Sequence, residues 1–130
     1  MNRTQLETWV EELRQAWEQA DSRRVGALFT VDAEYHSHPF QPPLVGRDAI
    51  EGYWKQATAT QANIRVRMGK PLLDGDRAVV EWWAFMTETG AETTDAGALV
   101  LEFAGEHCRR LREYWNMTEG FVEPPEGWAQ

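Results

Sequence analysis

Residues 32–54, DAEYHSHPFQPPLVGRDAIEGYW, decide how the chain folds. The segment opens extended, from Ala33 to His38. Pro39, Pro42 and Pro43 then remove three backbone donors, so the loop from Pro39 to Gly46 cannot pair inside a sheet. Gly46 leads into a helix with Asp48 and Glu51 in its first turn, where the helix dipole favours acids. Ile50, Tyr53 and Trp54 are the large apolar side chains of that helix. A strand that leaves a wall, bends over its rim and returns as a helix makes a concavity. The remainder of the chain reads as the cup around it.

Upstream, Thr4-Gln5-Leu6-Glu7 matches a capping box. Leu6, Trp9, Val10, Leu13, Trp17 and Ala20 recur at helical spacing on one face. Asp21 caps a second short helix with Val25, Leu28 and Phe29 facing inward. Downstream the pattern changes to strands. Asp32–His38 is the first, and Asn63–Leu72 alternates Ile64, Val66 and Met68 against Asn63, Arg65 and Arg67. Asp74-Gly75 marks a tight hairpin. Arg77–Thr89, Thr93–Phe103 and Cys108–Met117 follow, separated by turns at Gly90–Glu92 and Ala104-Gly105. The tail EPPEGWAQ cannot be regular, because of Pro124 and Pro125, but Trp128 can dock on the body. Helices first and long antiparallel strands after them is an α+β order in a single domain, residues 1–130. Arg77–Thr89 is apolar on both faces. One face meets the helices, and the other, with Val80, Trp82 and Ala84, needs a second cover. A two-fold homodimer through that outer sheet face is the expectation.

The totals narrow the function. The net charge of −8 argues against nucleic acid, which requires a basic face. The single cysteine, Cys108, forbids an internal disulfide and suits a reducing compartment, so a cytoplasmic protein is expected. The first residues lack the apolar run of a signal peptide, and no segment approaches a membrane span. Seven tryptophans in 130 residues are unusual, and such flat side chains build cores but also line pockets for apolar ligands. There is no glycine-rich phosphate loop, dinucleotide fingerprint or nucleophile elbow, so no cofactor is expected. A zinc site normally wants three or four convergent ligands, which His36, His38 and His107 are not expected to supply, so no metal site is expected.

ALFTVDAEYHSHP, PPLVGRDAIEGYW and LREYWNM together resemble the NTF2-like superfamily, which includes SnoaL-like polyketide cyclases, ketosteroid isomerases and limonene epoxide hydrolases. The resemblance runs from Leu6 to about Met117. It implies a cone, with three N-terminal helices packed on a strongly curved, mostly antiparallel sheet. The positions that carry steroid isomerisation in that superfamily fall here at Leu13, Ser37 and about Leu99, so that chemistry is rejected. The limonene epoxide hydrolase positions are closer. Tyr35 and Ser37 match its water-holding pair, Val79-Val80-Glu81 matches its Arg-x-Asp, and Glu113 matches its last acid. Val79 in place of the arginine leaves the set incomplete.

Alternation along strands puts Val79, Glu81, Trp83 and Phe85 on one face, and Leu111, Glu113 and Trp115 on one face. If both faces are concave, two carboxyl groups enter an indole-walled cavity, where burial raises their pKa values and splits them into an acid and a base. The competing reading puts either glutamate on the rim, paired with Arg65, Arg67, Arg110 or Arg112. On the first reading Glu81, Glu113 and Tyr35 are catalytic. Ser37, Trp17, Phe40, Trp54, Trp83, Phe85, Leu99 and Trp115 hold the substrate, a small apolar or aromatic molecule. The reaction is a hydrolysis, isomerisation, dehydration or cyclisation. A non-catalytic carrier of a hydrophobic molecule would use the same cup without the proton-transfer pair.

Overall fold

A computed structural model describes residues 1–128. Its elements are α1 (Arg3–Glu18), α2 (Ser22–Gly26), β1 (Phe29–His36), β2 (Leu44–Val45), α3 (Arg47–Thr58), β3 (Gln61–Met68), β4 (Leu72–Asp74), β5 (Arg77–Glu88), β6 (Ala91–Ala104) and β7 (His107–Glu119). The strands form one unclosed, curved sheet in the order β2-β1-β7-β6-β5-β3, with β4 also paired to β5. All pairs are antiparallel except β1 with β7. The architecture is α+β, with three helices against one face of a seven-stranded sheet.

α1 is held by its apolar stripe. Leu6, Trp9, Val10, Leu13, Ala16 and Trp17 are buried, and large side chains of this kind each stabilise the fold by about 1.5–3 kcal/mol. Its capping box lies two residues earlier than the sequence pattern suggests. Asn2 accepts from the Gln5 backbone at 2.8 Å and Gln5 returns the bond at 2.9 Å. Asparagine and glutamine present the same donor and acceptor geometry as the threonine–glutamate pattern. Ala20 is not on the stripe, because it takes a left-handed φ of 53° just past the helix end. Asp21 caps α2 as expected, accepting from the Arg24 backbone.

The strand boundaries shift by a few residues. β1 begins at Phe29 and ends at His36, so Ser37 and His38 already belong to the bend before the proline loop. The expected strand Asn63–Leu72 is two strands, β3 and β4, both paired to β5. The β5–β6 turn is Thr89-Gly90, with φ of 48° and 85°. Two positive φ values in a two-residue loop match the twist of the flanking strands.

Val80, Trp82 and Ala84 are buried against the helices, not on the outer face. Trp82 meets Trp17 of α1 edge-on at 5.0 Å. The outer face of β5 carries Val79, Glu81, Trp83 and Phe85 instead. The chain covers part of it with its own tail. Phe121 packs on Phe85, and Trp128 approaches Trp83. The last two residues of that tail lie outside the described range. No helix among the described residues is long and apolar enough to cross a membrane.

Candidate active site

The faces of the last three strands follow from one extra residue. β5 and β6 pair without interruption from Glu88↔Ala91 to Arg77↔Glu102, which sets Glu81 opposite Ala98. β6 and β7 begin as a plain hairpin, with Ala104↔His107 and Phe103↔Cys108. The next pair is Glu102↔Arg110, so Arg109 has no partner. A bulge of one residue moves everything beyond it to the other face. Glu113 therefore pairs with Leu99, not Ala98, and shares a face with Val80 and Leu99. Glu81 is on the other side of the sheet. The next rows on the helix-facing side are Trp82–Gly97–Trp115 and Ala84–Asp95–Met117.

Between this face and the helices lies a cavity of about 360 Å³. α1 gives it Trp17, β1 Tyr35, α3 Tyr53, Trp54 and Ala57, and β7 Glu113, Trp115 and Met117. Trp82, Asp95, Thr60, Gln61 and Glu88 complete the wall. The aromatic side chains touch in sequence: Trp82 to Trp17, Trp17 to Trp54 at 5.2 Å, Trp54 to Tyr35 at 6.5 Å, and Tyr35 to Tyr53 at 5.5 Å. Trp115 is fixed from behind. Its indole N–H donates to the Ser37 carbonyl at 3.1 Å, and His38 packs on its ring. Gly97 leaves the floor open between Trp82 and Trp115. A Cβ there would lie 2.3 Å from the Tyr114 carbonyl oxygen and 2.7 Å from Trp115 Cβ.

Of the three carboxyl groups that line this cavity two are buried, Glu113 at 7% exposure and Asp95 at 8%. Glu113 Oε1 accepts from the Tyr35 hydroxyl at 3.1 Å. Burial pushes Glu113 up to about 7, opposed by the Tyr35 bond and assisted by the charge of Asp95. Burial, with the Glu88 charge, pushes Asp95 up to about 6. Burial and the charge of Glu113 raise both phenols, Tyr53 to about 12 and Tyr35 well beyond its ordinary range. Asp95 Oδ1 and the indole N–H groups of Trp54 and Trp82 are buried without a hydrogen-bond partner among the described residues. The Trp54 N–H lies toward the Tyr35 oxygen without reaching bonding geometry. The two upward shifts make Glu113 the better proton donor and Asp95 the better base of the two.

Of the residues singled out from sequence, Glu113, Tyr35, Trp17, Trp54 and Trp115 meet at the cavity. Tyr53 also lines it, although it adjoins Trp54 in sequence. Glu81 does not reach it. It is exposed on the outer face, where Oε2 accepts from the Trp128 indole at 2.6 Å. Trp83 and Phe85 share that face by strand alternation. Leu99 is buried beneath the wall, between Val80 and Glu113. Ser37 contributes its carbonyl to Trp115, while its hydroxyl bonds the His38 ring. Phe40 is 98% exposed, because the proline loop carries it away from the body. Cys108 is buried and donates to the Arg110 carbonyl, and burial raises its thiol to about 12. No group of three His, Cys, Asp or Glu side chains converges among the described residues.

Asp95 is not among the sequence candidates, and Trp82 is expected there on the outer face. Once Glu113 is placed beyond the bulge, alternation along the paired strands finds both. Without the bulge, the same count leads to Glu81.

The SnoaL-like domain family model matches residues 10–111. No curated protein sequence matches the chain. Among solved structures, a hypothetical protein of ketosteroid isomerase-like fold from Catenulispora acidiphila, in complex with trimethylamine, is 25% identical. The match covers 82% of this chain and 83% of that one, with a TM-score of 0.74. SalBIII, an epoxide hydrolase/cyclase-like enzyme with a role in pyran ring formation in polyether salinomycin, is 18% identical over 88% of this chain and 95% of its own, at 0.75. A limonene-epoxide-hydrolase-like epoxide hydrolase of Mycobacterium tuberculosis is 17% identical over 87% and 84%, at 0.73. With a family match over most of its length and neighbours of the NTF2-like superfamily, this chain belongs to the SnoaL-like domain family.

Proposed function

We propose that this chain is a cofactor-independent acid–base enzyme acting on a small apolar or aromatic molecule, of the epoxide hydrolase, isomerase, dehydratase or polyketide cyclase type. The curved sheet would form one side of a cone and the helices the other, with the substrate between. The observation that supports this most is the placing of Asp95 and Glu113, both buried, at one aromatic cavity. On this reading Asp95 takes the part that the sequence suggests for Glu81, beside Glu113.

Epoxide opening is the most concrete version. Asp95 as carboxylate takes a proton from a water whose oxygen bonds the ring carbon. The carbon–oxygen bond breaks, and Glu113 gives its proton to the leaving oxygen. Solvent then moves a proton between the two acids and restores the starting state. Tyr35 keeps the Glu113 carboxyl aimed into the cavity. Positioned acids and bases contribute about 10²–10⁴ in rate. The test is hydrolysis of a panel of apolar epoxides in ¹⁸O-water, with Asp95→Asn and Glu113→Gln alongside. Each substitution should lower kcat by about 10² or more. Full turnover in Glu113→Gln would remove the proposed acid.

The trimethylamine in the Catenulispora protein favours a second reading, a non-catalytic binding protein for a small molecule. Tight binding without turnover of any panel member would decide for it. A homodimer through the outer sheet face is also proposed, now through Val79, Val100 and Tyr114 beside the tail, and light scattering at micromolar concentration tests it.

A further inference from the structure

The ionisable groups lining the cavity are Tyr35, Tyr53, Glu88, Asp95 and Glu113, and no Lys, Arg or His lines it. The nearby arginines are engaged elsewhere. Arg65 sits over Phe85 and Phe121, and Arg67 over Trp128, all on the outer face. Arg110 pairs with Glu34 and Glu102, and Arg112 with Glu102. The two buried carboxyl groups thus face a cavity in which the protein supplies no counter-charge. Buried charges normally need one.

The wall around them has a complementary property. Trp82 and Trp115 flank Gly97 in one row of the sheet, and Asp95 is in the next row, between them in strand order. Diagonal neighbours on a sheet are about 7–8 Å apart, so Asp95 lies within reach of a group resting on either indole. Asp95 Oδ1 is itself unpartnered. Indole faces attract cations through their quadrupole, most strongly where water is excluded. A neutral apolar ligand would satisfy the indoles and leave Asp95 still more desolvated. A metal ion would want several converging oxygens, and the indoles offer none. A primary ammonium needs acceptors for three N–H groups, whereas a methylated ammonium needs one or none.

We propose that the cavity binds an organic cation: a tertiary or quaternary ammonium seated against Trp82 and Trp115 beside Asp95, with its apolar body against Trp17, Trp54 and Tyr53. This deepens the reading of the cavity as a small-molecule site and rests on it. The net charge of −8 draws cations toward the protein, and Glu88 at the cavity wall continues that field inward.

Calorimetry at pH 8 with phenyltrimethylammonium and its neutral isostere tert-butylbenzene tests the charge requirement without any substitution. The cation should bind at least tenfold tighter. Asp95→Asn should weaken the cation at least tenfold while tert-butylbenzene binds at least as well as to the unaltered protein, which also shows that the variant is folded. Equal or tighter binding of tert-butylbenzene to the unaltered protein would overturn the cation and leave the apolar-substrate reading standing. Failure of both compounds to bind would overturn the cavity as a ligand site, and both readings with it.

Discussion

The Tyr35 hydroxyl donates to Glu113 Oε1 at 3.1 Å across the one parallel strand pair of the sheet, from β1 to β7. Both side chains are buried, so this bond holds the carboxylate in a setting that otherwise rejects its charge. Tyr35→Phe removes the donor and little volume. A hydrogen bond to a charged group contributes about 1.5–3 kcal/mol, which corresponds to about 1–2 pKa units. The Glu113 titration should therefore move upward from about 7 by that amount. A ¹³C carboxyl titration of the two proteins measures it. An unmoved midpoint would mean that the bond does not support the charged form.

Glu113 also links stability to pH. Its pKa rises from 4.5 to about 7 on folding, so the folded state binds the proton more tightly than the unfolded chain. The resulting stabilisation is complete below about pH 4.5 and is lost as pH rises through about 7. At 1.36 kcal/mol per unit the loss is on the order of 3 kcal/mol. Asp95 acts in the same direction over a lower window, from 3.8 to about 6. Glu113→Gln cannot ionise. In urea unfolding it should match the parent at pH 4.5 and exceed it at pH 8. A variant less stable than the parent at pH 8 would show that the ionised carboxylate has a stabilising partner.

The fold was legible because its signals are local and repeated. The α1 stripe, the Asp21 cap, the Asp74-Gly75 turn and the proline loop each say what the backbone must do nearby. Trp17, Trp54 and Trp115 were legible because each strand or helix has its own period, and Tyr35 and Glu113 because they also fall on limonene epoxide hydrolase positions. The relation between β5 and β7 was not legible. It depends on whether the β6–β7 hairpin runs in plain register, and Arg109 carries no glycine or proline to announce a bulge. Counting across an uninterrupted hairpin sets Glu113 opposite Ala98 and hence Glu81. The bulge sets it opposite Leu99 and Val80, and the second acid becomes Asp95.

Gly97 is where two indoles require an absent side chain. A methyl group there would meet the Tyr114 carbonyl oxygen at 2.3 Å, and a strand backbone cannot yield as a flexible side chain would. Gly97→Ala should cost about 1–3 kcal/mol, the usual range for overpacking. It should also shift tryptophan fluorescence, because Trp115 borders the same space. Thermal unfolding and an emission spectrum together check this. An unchanged Tm with an unchanged spectrum would mean that the floor between Trp82 and Trp115 is looser than the contacts indicate.

The outer face supplies the control for every statement about the inner one. Trp128 donates to Glu81 Oε2 at 2.6 Å, and Arg67 both covers its ring at 5.6 Å and pairs with Glu123 at 3.2 Å. Thr94 bonds the Gly120 carbonyl and accepts from the Val122 backbone, so the tail is fastened at two points along the sheet. Such exposed contacts contribute about 0.5–1.5 kcal/mol each. Glu81→Gln and Trp128→Ala should each cost no more than that in urea unfolding. Neither should move the Glu113 titration, the affinity for a bound cation or any turnover. If Glu81→Gln altered those readouts as Glu113→Gln does, the two glutamates would share a face, and the register beyond Arg109 would have to be redrawn without the bulge.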